Sequence, residues 1–108
     1  MNLPEERAAR NEALFREVNE QVRTLSASQP SAPEALLIIC ECSDETCTER
    51  VSLPVSVYES VRADPRRFVV VPGHDNDFEH IVDRSDGYAI VEKEGHAGRV
   101  AEETDPRA

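Results

Sequence analysis

The 108 residues suffice for one domain and are too few for two well-filled cores. Twenty-two acidic side chains stand against twelve basic ones, a formal net charge of −10. That balance argues against a nucleic-acid ligand, whose phosphates demand clustered Lys and Arg, and against an anionic membrane surface.

Eleven of the bases are Arg and Lys93 is the single lysine, a bias of composition with no run longer than Arg66-Arg67. Leu, Ile, Val and Phe together make 25 of the 108 residues, close to the level where disorder sets in. A core this lean calls for a staple, covalent or metallic. No stretch of about 18 apolar residues is present to span a membrane. The opening MNLPEERAAR lacks the basic-then-apolar layout of a secretory signal. The expectation is therefore a cytoplasmic protein whose three cysteines stay reduced.

In chain order, residues 4–25 read as a helix. Leu14, Val18, Val22 and Leu25 recur at helical spacing with Phe15 beside them; this stripe is expected to pack on its own sheet, the alternative being that it reaches outward to a partner across the linker. Pro4 suits the first turn, and Glu5 and Glu6 suit the positive end of the helix dipole. Arg16, Glu17, Glu20 and Arg23 fall off the stripe. SASQPSAP, residues 26–33, cannot continue a helix. ALLIICEC, residues 35–42, reads as a central strand. A polar loop at 43–48 leads to a short strand near Arg50–Leu53. Pro54–Arg62 reads as a second helix that stops before Pro65. Residues 67–71 read as a strand closed by the Pro72-Gly73 turn. Phe78–Arg84 and Tyr88–Lys93 form a hairpin around Asp86-Gly87. Beyond Glu94 the polar, glycine-containing chain is expected to fray.

The fold class is α+β. Residues 1–26 form an N-terminal helix, 27–34 a linker, 35–94 a small, mostly antiparallel sheet with one short helix, and 95–108 a flexible tail.

All three cysteines fall within eight residues, Cys40, Cys42 and Cys47. On a strand, Cys40 and Cys42 emerge on one face while Glu41 points away, with Cβ atoms about 6.5–7 Å apart. Tetrahedral zinc needs sulfurs about 3.8 Å apart, within reach if the strand end curls into the loop and Cys47 folds back. Three thiolates leave a fourth position, and His74 fills it best: if the 67–71 strand neighbours the 36–42 strand, the tight Pro72-Gly73 turn holds its imidazole near the cysteine loop. His80 lies within a strand, and His96 would have to be ordered out of the tail. The result is a closed Cys3His site of structural character, Cys40, Cys42, Cys47 and His74, with zinc as the expected ion.

The C-x-C spacing differs from the C-x2-C knuckle of zinc ribbons, so other readings stand beside this one. Cys40 as a buried core thiol, a thiol switch through Cys42 and Cys47, and an iron or iron–sulfur site are the alternatives. Asp75, Asp77, Glu79, Asp83 and Asp86 mimic a calcium-loop spacing, but His80 stands where that loop needs Gly, so a solvated acidic turn is the plain reading. Arg66 and Arg67 read as a solvated strand start, and Tyr58 and Tyr88 as the core's edge. No phosphate-cradling glycine loop, nucleophile elbow or HExxH helix is present.

With RNEALFREVNEQV at 10–22, the cysteines at 40–47, VYESVRADPRRFVVVPGH at 57–74, GYAIVEK at 87–93 and ETDPR at 103–107, the chain resembles a widespread family of small bacterial proteins with no assigned activity. Members occur alone or appended to sensory and signalling domains. The resemblance implies that the Pro-Gly-His element accompanies the cysteines, pairing His74 with Cys40, Cys42 and Cys47. Pro54 departs from the helix-capping Thr or Ser expected there, which bears on where the second helix starts.

The functional expectation is a non-catalytic zinc-binding module, an accessory in regulation or signalling whose partner is another protein with a basic surface. The alternative is a redox sensor that releases zinc when the same cysteines oxidise. An enzyme with an unrecognised site comes third.

Overall fold

A computed structural model describes residues 3–28 and 34–107. The heart of the expected linker, residues 29–33, lies outside the described residues. Helix α1 (Leu3–Ala27) carries Glu5 and Glu6 in its first turn, where the helix dipole favours anions.

The face α1 buries is not its apolar stripe. Leu14 is 56 % and Leu25 66 % exposed, and Val18 is exposed as well; of the four, Val22 alone touches the core. The inward face is Ala8, Ala9, Glu12, Ala13, Arg16 and Asn19. The alanines let the backbone come close. The polar residues meet groups that need partners, because buried main-chain N–H and C=O must be satisfied. Arg16 is the clearest case. Its guanidinium donates to Pro65 O at 2.6 Å and Ala101 O at 2.7 Å, and stacks 4.5 Å from the centre of the Phe68 ring. Burial lowers its pKa from the usual value.

Strand β1 (Ala35–Ile39) pairs antiparallel with β2 (Arg50–Pro54). Alternation puts Leu36, Ile38, Val51 and Leu53 on the buried face. The sequence predicts a strand to residue 42, yet the ladder ends at Ile39. One further bond, Cys40 N–H to Glu49 O at 2.9 Å, closes the loop between the two strands.

Helix α2 (Val55–Arg62) begins directly after Pro54, whose fixed φ and missing N–H suit a helix start. Tyr58 and Val61 enter the core, Tyr58 completely. Strand β3 (Arg67–Val70) pairs with β5 (Tyr88–Lys93), and β5 with β4 (Glu79–Ser85). This antiparallel sheet has the order β3-β5-β4. In the two-residue loop between Ser85 and Tyr88, Gly87 takes a positive φ of 87°, which glycine adopts without steric cost. The register shifts between Ile81 and Asp83.

Residues 95–103 are not a frayed tail. They form α3 (Gly95–Glu103), with Ala97, Val100 and Ala101 buried at helical spacing. The helix packs on α1 and β5. Past it, Asp105 pairs with the buried Arg62, and Arg107 bonds Glu20 and Glu59. Burial opposes ionisation of Glu20, but hydrogen bonds from Arg107 and Arg62 outweigh it and lower its pKa.

β3 is buried on both faces. Val69 joins a cluster with Leu36, Ile38, Val51, Leu53, Tyr58, Val61 and Ile90. Phe68 and Val70 face the other way, onto Cys40, Cys42, Ala89, Val91 and Ala101. Two of the cysteines thus belong to the second apolar cluster. The whole is an α+β fold of helices on small antiparallel sheets. No helix among the described residues is long and apolar enough to cross a membrane.

Candidate metal centre

Three short segments bring the sulfurs and one imidazole together. Cys40 and Cys42 leave the end of β1. Asp44 then turns the chain: its carboxylate accepts Thr46 N–H at 2.9 Å and the Thr46 hydroxyl at 2.7 Å, and its carbonyl accepts Cys47 N–H at 3.0 Å. This Asx-type turn returns Cys47 toward Cys42. After β3, His74 N–H bonds Val71 O at 2.9 Å with Gly73 at φ 90°. Pro then Gly at the two central positions is the composition of a type II turn.

The donor atoms of Cys40, Cys42, Cys47 and His74 all lie within 4.8 Å of one another. His74 Nδ1 is 3.6 Å from Cys40 Sγ and 3.8 Å from Cys47 Sγ. A tetrahedral ion with bonds of about 2.3 Å to sulfur and 2.0–2.1 Å to nitrogen spans S···N edges of about 3.5–3.6 Å. The cluster could therefore hold a metal ion with little adjustment.

Surrounding groups orient the donors. His74 Nε2 lies 2.9 Å from a Glu49 carboxylate oxygen, which fixes the proton on Nε2 and leaves Nδ1 free to ligate. Val71 N–H donates to Cys40 Sγ at 3.1 Å. Asn11 Nδ2 donates to Cys42 O at 3.2 Å. Burial pushes the thiols of Cys40 and Cys42 up in pKa, so these two sulfurs favour the neutral form until a cation stabilises the thiolates. Cys40 and Cys42 are buried; Cys47 and His74 are half-buried. A shallow depression of about 200 Å³ opens beside them, lined by Cys42, Ser43, Asp44 and His74.

Glu41 points away from the sulfurs, as the alternation predicts, but into the interior, where it is fully buried. One carboxylate oxygen accepts Val69 N–H at 2.9 Å and the other accepts Asn19 Nδ2 at 2.8 Å, while Glu41 N–H donates to Val69 O at 2.8 Å. Burial raises the pKa of this carboxyl. β1 and β3 are not neighbours in one sheet. Glu41 bridges them, and this brings the Val71–His74 turn to the cysteines.

The other histidines lie elsewhere. His80 on β4 pairs with Glu94, Nδ1 to Oε1 at 2.7 Å, and His96 lies exposed on α3 beside Arg99. The acidic run 75–86 is not wholly a solvated turn. Glu79 is buried against Lys93, and Asp83 lies on β4.

Sequence reasoning missed Asn11, Asn19, Glu41 and Glu49. Asn is a poor helix-interior residue; two of them eight positions apart on one helical face were the available signal. Nothing in the sequence marks Glu49. No known family model, curated protein or solved structure matches the chain.

Proposed function

We propose that the chain is a non-catalytic zinc-binding module that acts through protein contacts in regulation or signalling. The carrying observation is the convergence of three sulfurs and one imidazole nitrogen within 4.8 Å. Four protein donors fill a tetrahedral ion's shell and leave no position for a substrate, which is the pattern of a structural site. Soft thiolates with one imidazole suit zinc. Two of the cysteines belong to an apolar cluster, so metal binding adds folding energy to a lean core. Exposed Leu14, Val18 and Leu25 on α1 offer an apolar contact strip, and the net charge of −10 favours a basic partner surface.

Metal analysis of the purified chain tests this. About one equivalent of zinc is expected, with loss of structure on strong chelation. Less than about half an equivalent, or an unchanged fold without metal, overturns it.

A second reading, regulation by oxidation, is favoured by the half-buried Cys47 and the depression beside Cys42. A peroxide would oxidise the two thiolates to a disulfide, itself reduced to water, with release of the ion. Mass spectrometry after mild peroxide should then show a reversible disulfide between Cys42 and Cys47 together with zinc loss. Unchanged thiols would end this reading.

A further inference from the structure

Lys93 is the one lysine among twelve basic residues, and burial alone does not explain it, since the buried bases Arg16 and Arg62 are arginines. Its ammonium is enclosed between the carboxylates of Glu12 and Glu79, and none of the three side chains is more than 1 % exposed. Phe68 closes one side, its ring centre 5.5 Å from Nζ. Asn76 closes another, donating from Nδ2 to Glu12 and from its backbone N–H to Glu79, each at 3.2 Å. The second Glu12 oxygen, Oε1, is buried with no hydrogen-bond partner.

This composition is unusual for a mere ion pair. Two carboxylates against one amine leave excess negative charge where solvation is poor, and buried ions are expensive even when paired. Burial, reinforced by the charge of Glu79 and opposed by Lys93, raises the Glu12 carboxyl to about 8. Near neutrality Glu12 therefore keeps its proton, beside a lysine side chain and a second carboxyl group. A lysine amine is a nucleophile once its proton has been passed to a neighbour, a role that a guanidinium does not fill. Glu79 and Lys93 sit directly opposite each other in the β4–β5 register, so the reacting groups are held together in advance.

We propose that Lys93 Nζ and Glu79 Cδ become joined by an isopeptide bond, with Glu12 as the proton shuttle. Lys93 passes one proton to the Glu79 carboxylate that it contacts, and the freed lone pair attacks Glu79 Cδ. The proton of Glu12 passes to the departing Glu79 oxygen, the C–O bond breaks and water leaves. The remaining amine proton returns to Glu12, which ends as it began. The sum is one ammonium and one carboxylate going to one amide and one water, with no change of oxidation state. Two buried charges disappear, and β4 and β5 are covalently tied at the end remote from their hairpin turn.

The test uses the full wild-type chain, unfolded after purification. Its intact mass is expected to fall short of the sequence mass by one water. A protease that cuts only after lysine, which would otherwise split the chain once at Lys93, should leave it whole. Full sequence mass with a single cut overturns the proposal. A deficit of one ammonia assigns the bond to Asn76 and overturns the role of Glu79. In Glu12→Gln the chain should regain full mass and the single cut; a persistent water deficit there overturns the shuttle. The wild-type measurement is independent of whether that variant folds.

Discussion

The carboxamide of Asn19 donates to the Glu41 carboxylate at 2.8 Å, and through this contact α1 holds the stretch that carries Cys40 and Cys42. The same carboxamide brackets Ile39, donating to its carbonyl at 2.9 Å and accepting its N–H at 2.9 Å. One side chain thus does for the end of β1 what a neighbouring strand would otherwise do. Replacing Asn19 with Ala strands Ile39 N–H and C=O and half of Glu41. Each buried group left unpaired costs about 1–3 kcal/mol, so a loss of at least about 2 kcal/mol in denaturant unfolding is expected.

Glu49 acts on the cluster through His74. In Glu49→Gln the imidazole loses the anionic partner that orients it. Metal affinity should fall about 10–100-fold, read by competition with a chromophoric chelator. Far-UV circular dichroism of the metal-loaded chain should be unchanged.

Asp105→Ala tests the C-terminal anchor. Arg62 is fully buried in its side chain and would keep Glu20 while losing Asp105. A destabilisation of about 1–3 kcal/mol is expected. Amide exchange in the last turn of α3 should quicken, with metal affinity unaffected.

Glu12 predicts a pH dependence. Its carboxyl is raised from 4.5 to about 8 in the folded chain, so between those values the folded state holds a proton that the unfolded state has released. Stability from this group is full below about 4.5, falls as pH rises, and is gone above about 8, at roughly 1.4 kcal/mol per pH unit. Metal binding by thiolates strengthens in the opposite direction. The difference between wild type and Glu12→Gln across pH 5 to 9 therefore carries the signal, and a constant difference contradicts it.

Much of this fold was legible. Turn chemistry placed the Asp86-Gly87 hairpin and the Pro72-Gly73 turn, because each needs a residue type the chain supplies. Clustering of the cysteines and the rigid placement of His74 were enough to assemble the donor set. The inward face of α1 was not legible, because periodicity reports which residues are apolar and not which groups a neighbour leaves unpaired. Arg16 and Asn19 are buried to satisfy groups 20 or more positions away, and their partners appear only once the chain has folded. The C-terminal helix hid for a different reason: Ala97, Gly98 and Ala101 are small, so its apolar periodicity is faint although its packing is close.

The contacts of α1 with the end of the chain also set an order of events during synthesis. Glu20 waits for Arg107, 87 positions later, and Arg16 for Ala101, 85 positions later. Until those residues leave the ribosome, the inward face of α1 lacks its C-terminal partners. Both hairpins can form earlier from neighbouring residues, whereas α1, made before either of them, is locked in place after them. Its polar inner face keeps it well hydrated during that interval.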